Sequence, residues 1–224
     1  MANPGHPVLR TILSMSLVLC FACGGDDPGR DPVSEAPGGP GDPASYIPSA
    51  DPFAWKWTEE DFPRVQVLAN GVYSYEQLRS AGDELFTTVS LIVVTDEGVL
   101  VADGQGNVAE TALLVSTIGE ITDQPIRHVV FSSDHGDHTA GNSAFPRGVE
   151  IWAHPTSAEN LRAMADNRDP SSDTPPIPLP TRLVEEREVL ELGGRTIELV
   201  FLGRAHTGGD LLVHLPEEKI LFMS

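Results

Sequence analysis

Ser132-Ser133-Asp134-His135-Gly136-Asp137-His138-Thr139-Ala140-Gly141-Asn142 is the most informative run in the chain. It follows Ile126–Phe131, an apolar segment short enough to be a buried strand. A loop leaving a buried strand combines a rigid support with access to solvent, which suits reactive groups. His135 and His138 stand three apart with Asp137 between them. Neutral imidazoles and a carboxylate are good ligands for a borderline cation such as zinc. Gly136 lets the backbone turn so that its neighbours can converge.

The segments on either side predict alternating strands and helices. Val65 to Tyr75 alternates in hydropathy around Asn70-Gly71, a hairpin signal. Thr87 to Asp103 is two apolar strands around Asp96-Glu97-Gly98. Val108 to Ile121 carries Ala112, Val115, Ile118 and Ile121 at helical spacing. Val149 to Ala153 predicts a strand. A helix follows from about Thr156 to Ala165, with Thr156 as N-cap and Glu159 at capping-box spacing. Asn167 to Pro180 is rich in Pro, Ser and Asp and predicts a long loop. Val189–Leu192, Thr196–Leu202, Leu211–Leu215 and Ile220–Met223 predict further strands. The resulting class is α/β.

The run resembles the pattern Thr-His-x-His-x-Asp-His-x-x-Gly-Asn of the metallo-β-lactamase fold superfamily, matching at His135, Asp137, His138, Gly141 and Asn142. Gly203-Arg204-Ala205-His206-Thr207-Gly208-Gly209-Asp210 is similar to that family's second metal block. The Val99–Asp103 strand with its terminal Asp fits as well, so the likeness runs from about Val65 to Ser224. It implies an αββα sandwich, with the N-terminal half and the start of the second half present. It also implies a hydrolase using one or two zinc ions on a small-molecule substrate. His135 and His206 would serve a first metal site, and Asp137 and His138 a second. Asp137 would also orient the attacking water.

Two departures from the family pattern stand out. Ser133 occupies the place of the leading His, and a neutral hydroxyl is a poor zinc ligand. The side chain of Asp134 should point to the opposite side of an extended segment. The sequence stops at Ser224, before the places of a bridging Asp and a last His, so a fragment or truncated product is expected. The rival expectation is a non-catalytic, lipid-anchored binding protein with a degenerate metal site. Of the other histidines, His128 should be a partly exposed strand residue, His154 should end a strand, and His214 should pack.

The N-terminal part is of another kind. Thr11 to Ala22 is an apolar run too short to span a bilayer, and Cys20-Phe21-Ala22-Cys23-Gly24 resembles a bacterial lipobox. Residues 1–23 are therefore expected to be a signal peptide ending at a lipidated Cys23, with a plain secretory signal as the alternative. Residues 24–52, acidic and rich in Gly and Pro, predict a flexible tether, and residues 53–224 the folded domain. The product would be a membrane-anchored lipoprotein, periplasmic or on the cell surface. Membrane attachment would run through Cys23 alone. No Cys follows Cys23, so the domain has neither disulfide nor thiolate ligand. A net charge of −19 over 224 residues argues against nucleic-acid partners, which require a basic face.

Overall fold

The computed structural model describes residues 51–224. The expected signal peptide, the lipidated Cys23 and nearly all of the tether lie outside the described residues. Four strands form an antiparallel meander: β1 (Arg64–Ala69), β2 (Val72–Ala81), β3 (Glu84–Thr95) and β4 (Gly98–Ala102). Helix α1 (Val108–Ile121) then crosses over to β5 (Ile126–Val130), which pairs parallel with β4. A short helix α2 (Gly136–Thr139) leads to β6 (Glu150–Ala153), and α3 (Pro155–Asp166) to the edge strand β7 (Arg182–Leu183), both strands again parallel. These seven strands make one sheet in sequence order. A second, antiparallel sheet holds β8 (Arg187–Leu192), β9 (Arg195–Val200), β10 (Leu212–Leu215) and β11 (Ile220–Phe222).

Alternation along the central strands explains the layering. On β3 and β4, Leu91, Val93, Leu100 and Ala102 face the second sheet and pack with Ile197, Leu199, Val213 and Leu215. Ile92, Val99 and Val101 face the other way, onto Leu114 and Ile118 of α1 and Leu161 of α3. A strand buried on both faces loses the polar half of its pattern, which is why Val99–Ala102 is a continuous apolar run. A helix layer and two stacked sheets result, three of the four layers of an αββα sandwich; among the described residues no helix follows β7.

Several boundaries differ from expectation. The β2–β3 hairpin reaches out to Ala81 and Glu84, well past the expected strand ends. Helix α3 is not capped by Thr156. His154 is its N-cap, with Nδ1 accepting from the Thr156 N–H at 3.2 Å, and Pro155 fills the first helical position. His214 does not pack. It is half-exposed and its Nδ1 lies 2.9 Å from Glu198 Oε2. His128 is partly exposed on β5 as expected, beside Glu150 and the Trp152 indole.

Candidate metal centre

The candidate residues gather where the parallel strands end. Asp103 follows β4, Ser132 to His138 follow β5, and His154 follows β6. Asp103 is fully buried and has a left-handed backbone (φ 62°), a conformation that Asp tolerates better than most residues. One carboxylate oxygen accepts from the Ser132 N–H at 2.8 Å. The other accepts from the Ser132 hydroxyl and lies 3.1 Å from His138 Nδ1. One buried acid thus fixes both the start of the loop and the orientation of the His138 ring.

His138 faces a second carboxylate on its other side, with Nε2 3.3 Å from Asp137 Oδ2. The same Asp137 oxygen accepts from the Thr88 hydroxyl on β3 at 3.3 Å. Burial disfavours the His138 cation, but hydrogen bonds and charge from Asp103 and Asp137 prevail and lift its pKa to about 10. The hydrogen bond from His138 outweighs burial at Asp137 and pulls that carboxyl down to about 2. Without a metal, both acids favour the protonated form of the His138 ring.

His135 and His206 form a separate pair. They are 71 residues apart in sequence, yet His206 Nε2 lies 3.2 Å from His135 Nδ1, and their rings meet edge to face. Ser133 is buried, and its hydroxyl accepts from the His135 N–H at 3.3 Å. Asp134 points away from this pair, toward α3, as the alternation along an extended segment requires; there Asn160 Nδ2 donates to its Oδ2 at 2.6 Å.

The residue types and gaps suit a metal. An ion about 2.0–2.1 Å from two nitrogens at a tetrahedral angle holds them about 3.3 Å apart, close to the spacing within each pair. His138 backed by Asp103 also has the usual arrangement of a metal-ligating imidazole oriented by a carboxylate. The four candidates stand as two pairs. Among the described residues no three His, Cys, Asp or Glu side chains are arranged to hold one ion. Each pair accounts for two of the protein ligands that zinc takes.

The family model described as "Metallo-beta-lactamase superfamily" matches residues 82–223. The chain belongs to that superfamily. Metallo-beta-lactamase IND-1 of Chryseobacterium indologenes is 23% identical over 162 residues, covering 72% of this chain and 64% of that protein. Metallo-beta-lactamase type 2 of Bacteroides fragilis is 23% identical over 157 residues, covering 69% and 59%. The 2,4-dinitroanisole O-demethylase subunit alpha of a Nocardioides strain is 28% identical over 103 residues, covering 45% and 29%. The chain thus spans less than two thirds of each of these relatives. Among solved structures, a metallo-beta-lactamase from Pontibacter korlensis superposes with a TM-score of 0.62 at 25% identity, covering 71% of this chain and 70% of that one. One from Hirschia baltica gives 0.59 at 19%, covering 71% and 69%. The fold is therefore that of the metallo-beta-lactamases, a hydrolase-type scaffold, in a superfamily that usually binds metal ions.

Asp103 is the residue that sequence reasoning left out of the site. The signal was its place at the end of a buried strand, the position that His135 and His138 occupy after the next one. Its partner lies 35 residues on, and no local pattern points to it.

Proposed function

We propose that this superfamily member is a zinc-dependent hydrolase, secreted and held at a membrane through a lipidated Cys23, acting on a small-molecule carbonyl or ester. The observation that carries the reading is the 3.2 Å gap between two imidazole nitrogens brought together from distant loops. His135 and His206 would hold one ion, and Asp137 and His138 a second. Bound zinc supplies Lewis acidity, polarising a carbonyl and lowering the pKa of water toward about 7.

The protein's own groups have distinct parts. Asp137 remains ionised well below neutral pH and is one-third exposed, so it can accept a hydrogen bond from the attacking water and aim it. Thr88 fixes one of its oxygens from the side. His138 must give up its proton before it can ligate, and Asp103 keeps its ring oriented as it does so.

The test is metal content and turnover of the purified chain. At least one equivalent of zinc should bind, and a panel of a lactam, a thioester, a carboxylic ester and a phosphoester should include one substrate whose hydrolysis stops with a chelator. Zinc binding without turnover on any ester or lactam would favour the rival, a binding protein with a degenerate site, for which Ser133 in the leading His position speaks. Absence of zinc binding would overturn the metal reading.

A further inference from the structure

His135 and His206 are both exposed and sit on loops outside the sheets. Exposed loop side chains lose conformational entropy when held in one arrangement, so a 3.2 Å gap needs support from elsewhere. The support converges on one helix. Asn160 of α3 donates to the buried carboxylate of Asp134, the residue next to His135, at 2.6 Å. Ser157, one helical turn earlier, is fully buried and donates to the carbonyl of Gly209, three residues after His206, at 3.1 Å. Residues three apart lie on the same face of a helix, so one face of α3 holds both loops.

The contact with the second loop is close. A Cβ on Gly209 would lie 2.4 Å from Ser157 Oγ and 2.9 Å from its backbone nitrogen, and one on Gly208 would lie 2.9 Å from Thr156 Cγ2. The start of α3 is itself pinned. The His154 ring that caps it stacks on Phe201, where the chain leaves β9 for the His206 loop, with centroids 3.8 Å apart. Behind these contacts, the Leu211 N–H donates to the Ser132 carbonyl at 2.9 Å and ties the far ends of the two loops. Ala158 and Leu161, each the residue after a clamp residue, are buried beside it, so the clamp stands on the core.

We infer that α3 is a shared clamp, and that Asn160 and Ser157 are positioning residues that set the His135–His206 gap. That this gap serves a metal rests on the function proposed above; the clamp itself does not.

The experiment uses the full chain, wild type against Asn160→Asp, Ser157→Ala and the reversal Asp134→Asn/Asn160→Asp. Asn160→Asp keeps the shape, removes the donor and sets two carboxylates against each other. The reversal restores one hydrogen bond with donor and acceptor exchanged. In the metal-free protein, nuclear Overhauser contact between the His135 and His206 ring protons should be clear, because the rings are 4.7 Å apart. It should weaken in both single variants and return in the reversal. Cobalt affinity, followed by its visible spectrum, should fall about 10–100-fold in Asn160→Asp and recover to within about threefold in the reversal. Urea unfolding of each metal-free variant checks that folding is retained. An unchanged ring contact in both single variants, or a loss that the reversal fails to restore, would overturn the clamp. A wild type that takes no cobalt would overturn the metal reading, while the ring contact still decides the clamp.

Discussion

Replacing Asp103 by Asn probes the one buried acid that joins two parts of the site. The backbone should not move, because Asn accepts the left-handed conformation seen there (φ 62°) as readily as Asp. The Asn carbonyl can still accept from the Ser132 N–H. Its NH2 then faces the Ser132 hydroxyl and His138 Nδ1, which was paired with a carboxylate oxygen. One hydrogen bond to a cationic ring is lost, worth about 1.5–3 kcal/mol. At about 1.4 kcal/mol per pH unit this should bring the His138 pKa from about 10 to about 8–9. The direction of the pH dependence follows. A histidine whose folded pKa is raised contributes its full stabilisation below its ordinary value of 6.5 and loses it as pH rises through about 10. The variant should therefore be less stable than wild type by about 1.5–3 kcal/mol at pH 6–7, and the difference should shrink toward pH 10. Urea unfolding at several pH values and NMR titration of the His138 ring, both without metal, measure the two effects. A His138 titration identical in the two proteins would refute the assignment of Asp103 as its partner.

Zinc affinity should rise about tenfold per pH unit from pH 7 to 9, since His138 must lose a proton to ligate; a flat profile in calorimetry would remove it from the ligand set. His206→Ala should lower cobalt affinity at least about 100-fold, yet shift metal-free stability by no more than about 0.5 kcal/mol because the side chain is exposed. Gly141→Ala would set a Cβ 2.1 Å from the Asn107 carbonyl oxygen and from Thr111 Oγ1, and should cost about 1–3 kcal/mol in urea unfolding. Fatty-acid labelling of expressing cells should mark the wild type and spare Cys23→Ala; equal labelling would exclude lipidation at that residue.

Much of the architecture is legible because its elements bury regular faces. Val108–Ile121 repeats its apolar residues at helical spacing, and the helix occupies that span. The outer β2–β3 hairpin escapes notice for an equally physical reason. Gln77 pairs with Thr88 and Tyr75 with Ser90, on the face that also carries Arg79. On that face Arg79 pairs with Glu110 of α1 and reaches Gln105, Gln105 reaches Ser90, and Thr88 reaches Asp137. A strand whose buried face is polar has no hydropathy alternation to read. His154 as a cap is hidden because the usual N-caps are Ser, Thr, Asp and Asn, whereas here a ring nitrogen serves as acceptor. At the site, the residue types and their motifs are visible in the sequence. The pairing of His135 with His206 is implied only by the family resemblance, because it depends on a contact between loops that no local spacing encodes.

The order of strands in the larger sheet also bears on how the chain reaches its folded state. β1 to β4 are joined to one another in sequence order, each to the next across a turn of two residues. Closing such short turns takes microseconds and little entropy, so this meander can form on its own early in folding. Bringing His206 to His135 instead requires closure over 71 residues, after the parallel strands and α3 are in place. Contacts between distant residues slow folding, because their ordering cost precedes their reward. The metal-binding corner should therefore be among the last regions to become protected in a refolding hydrogen-exchange experiment, and the meander among the first.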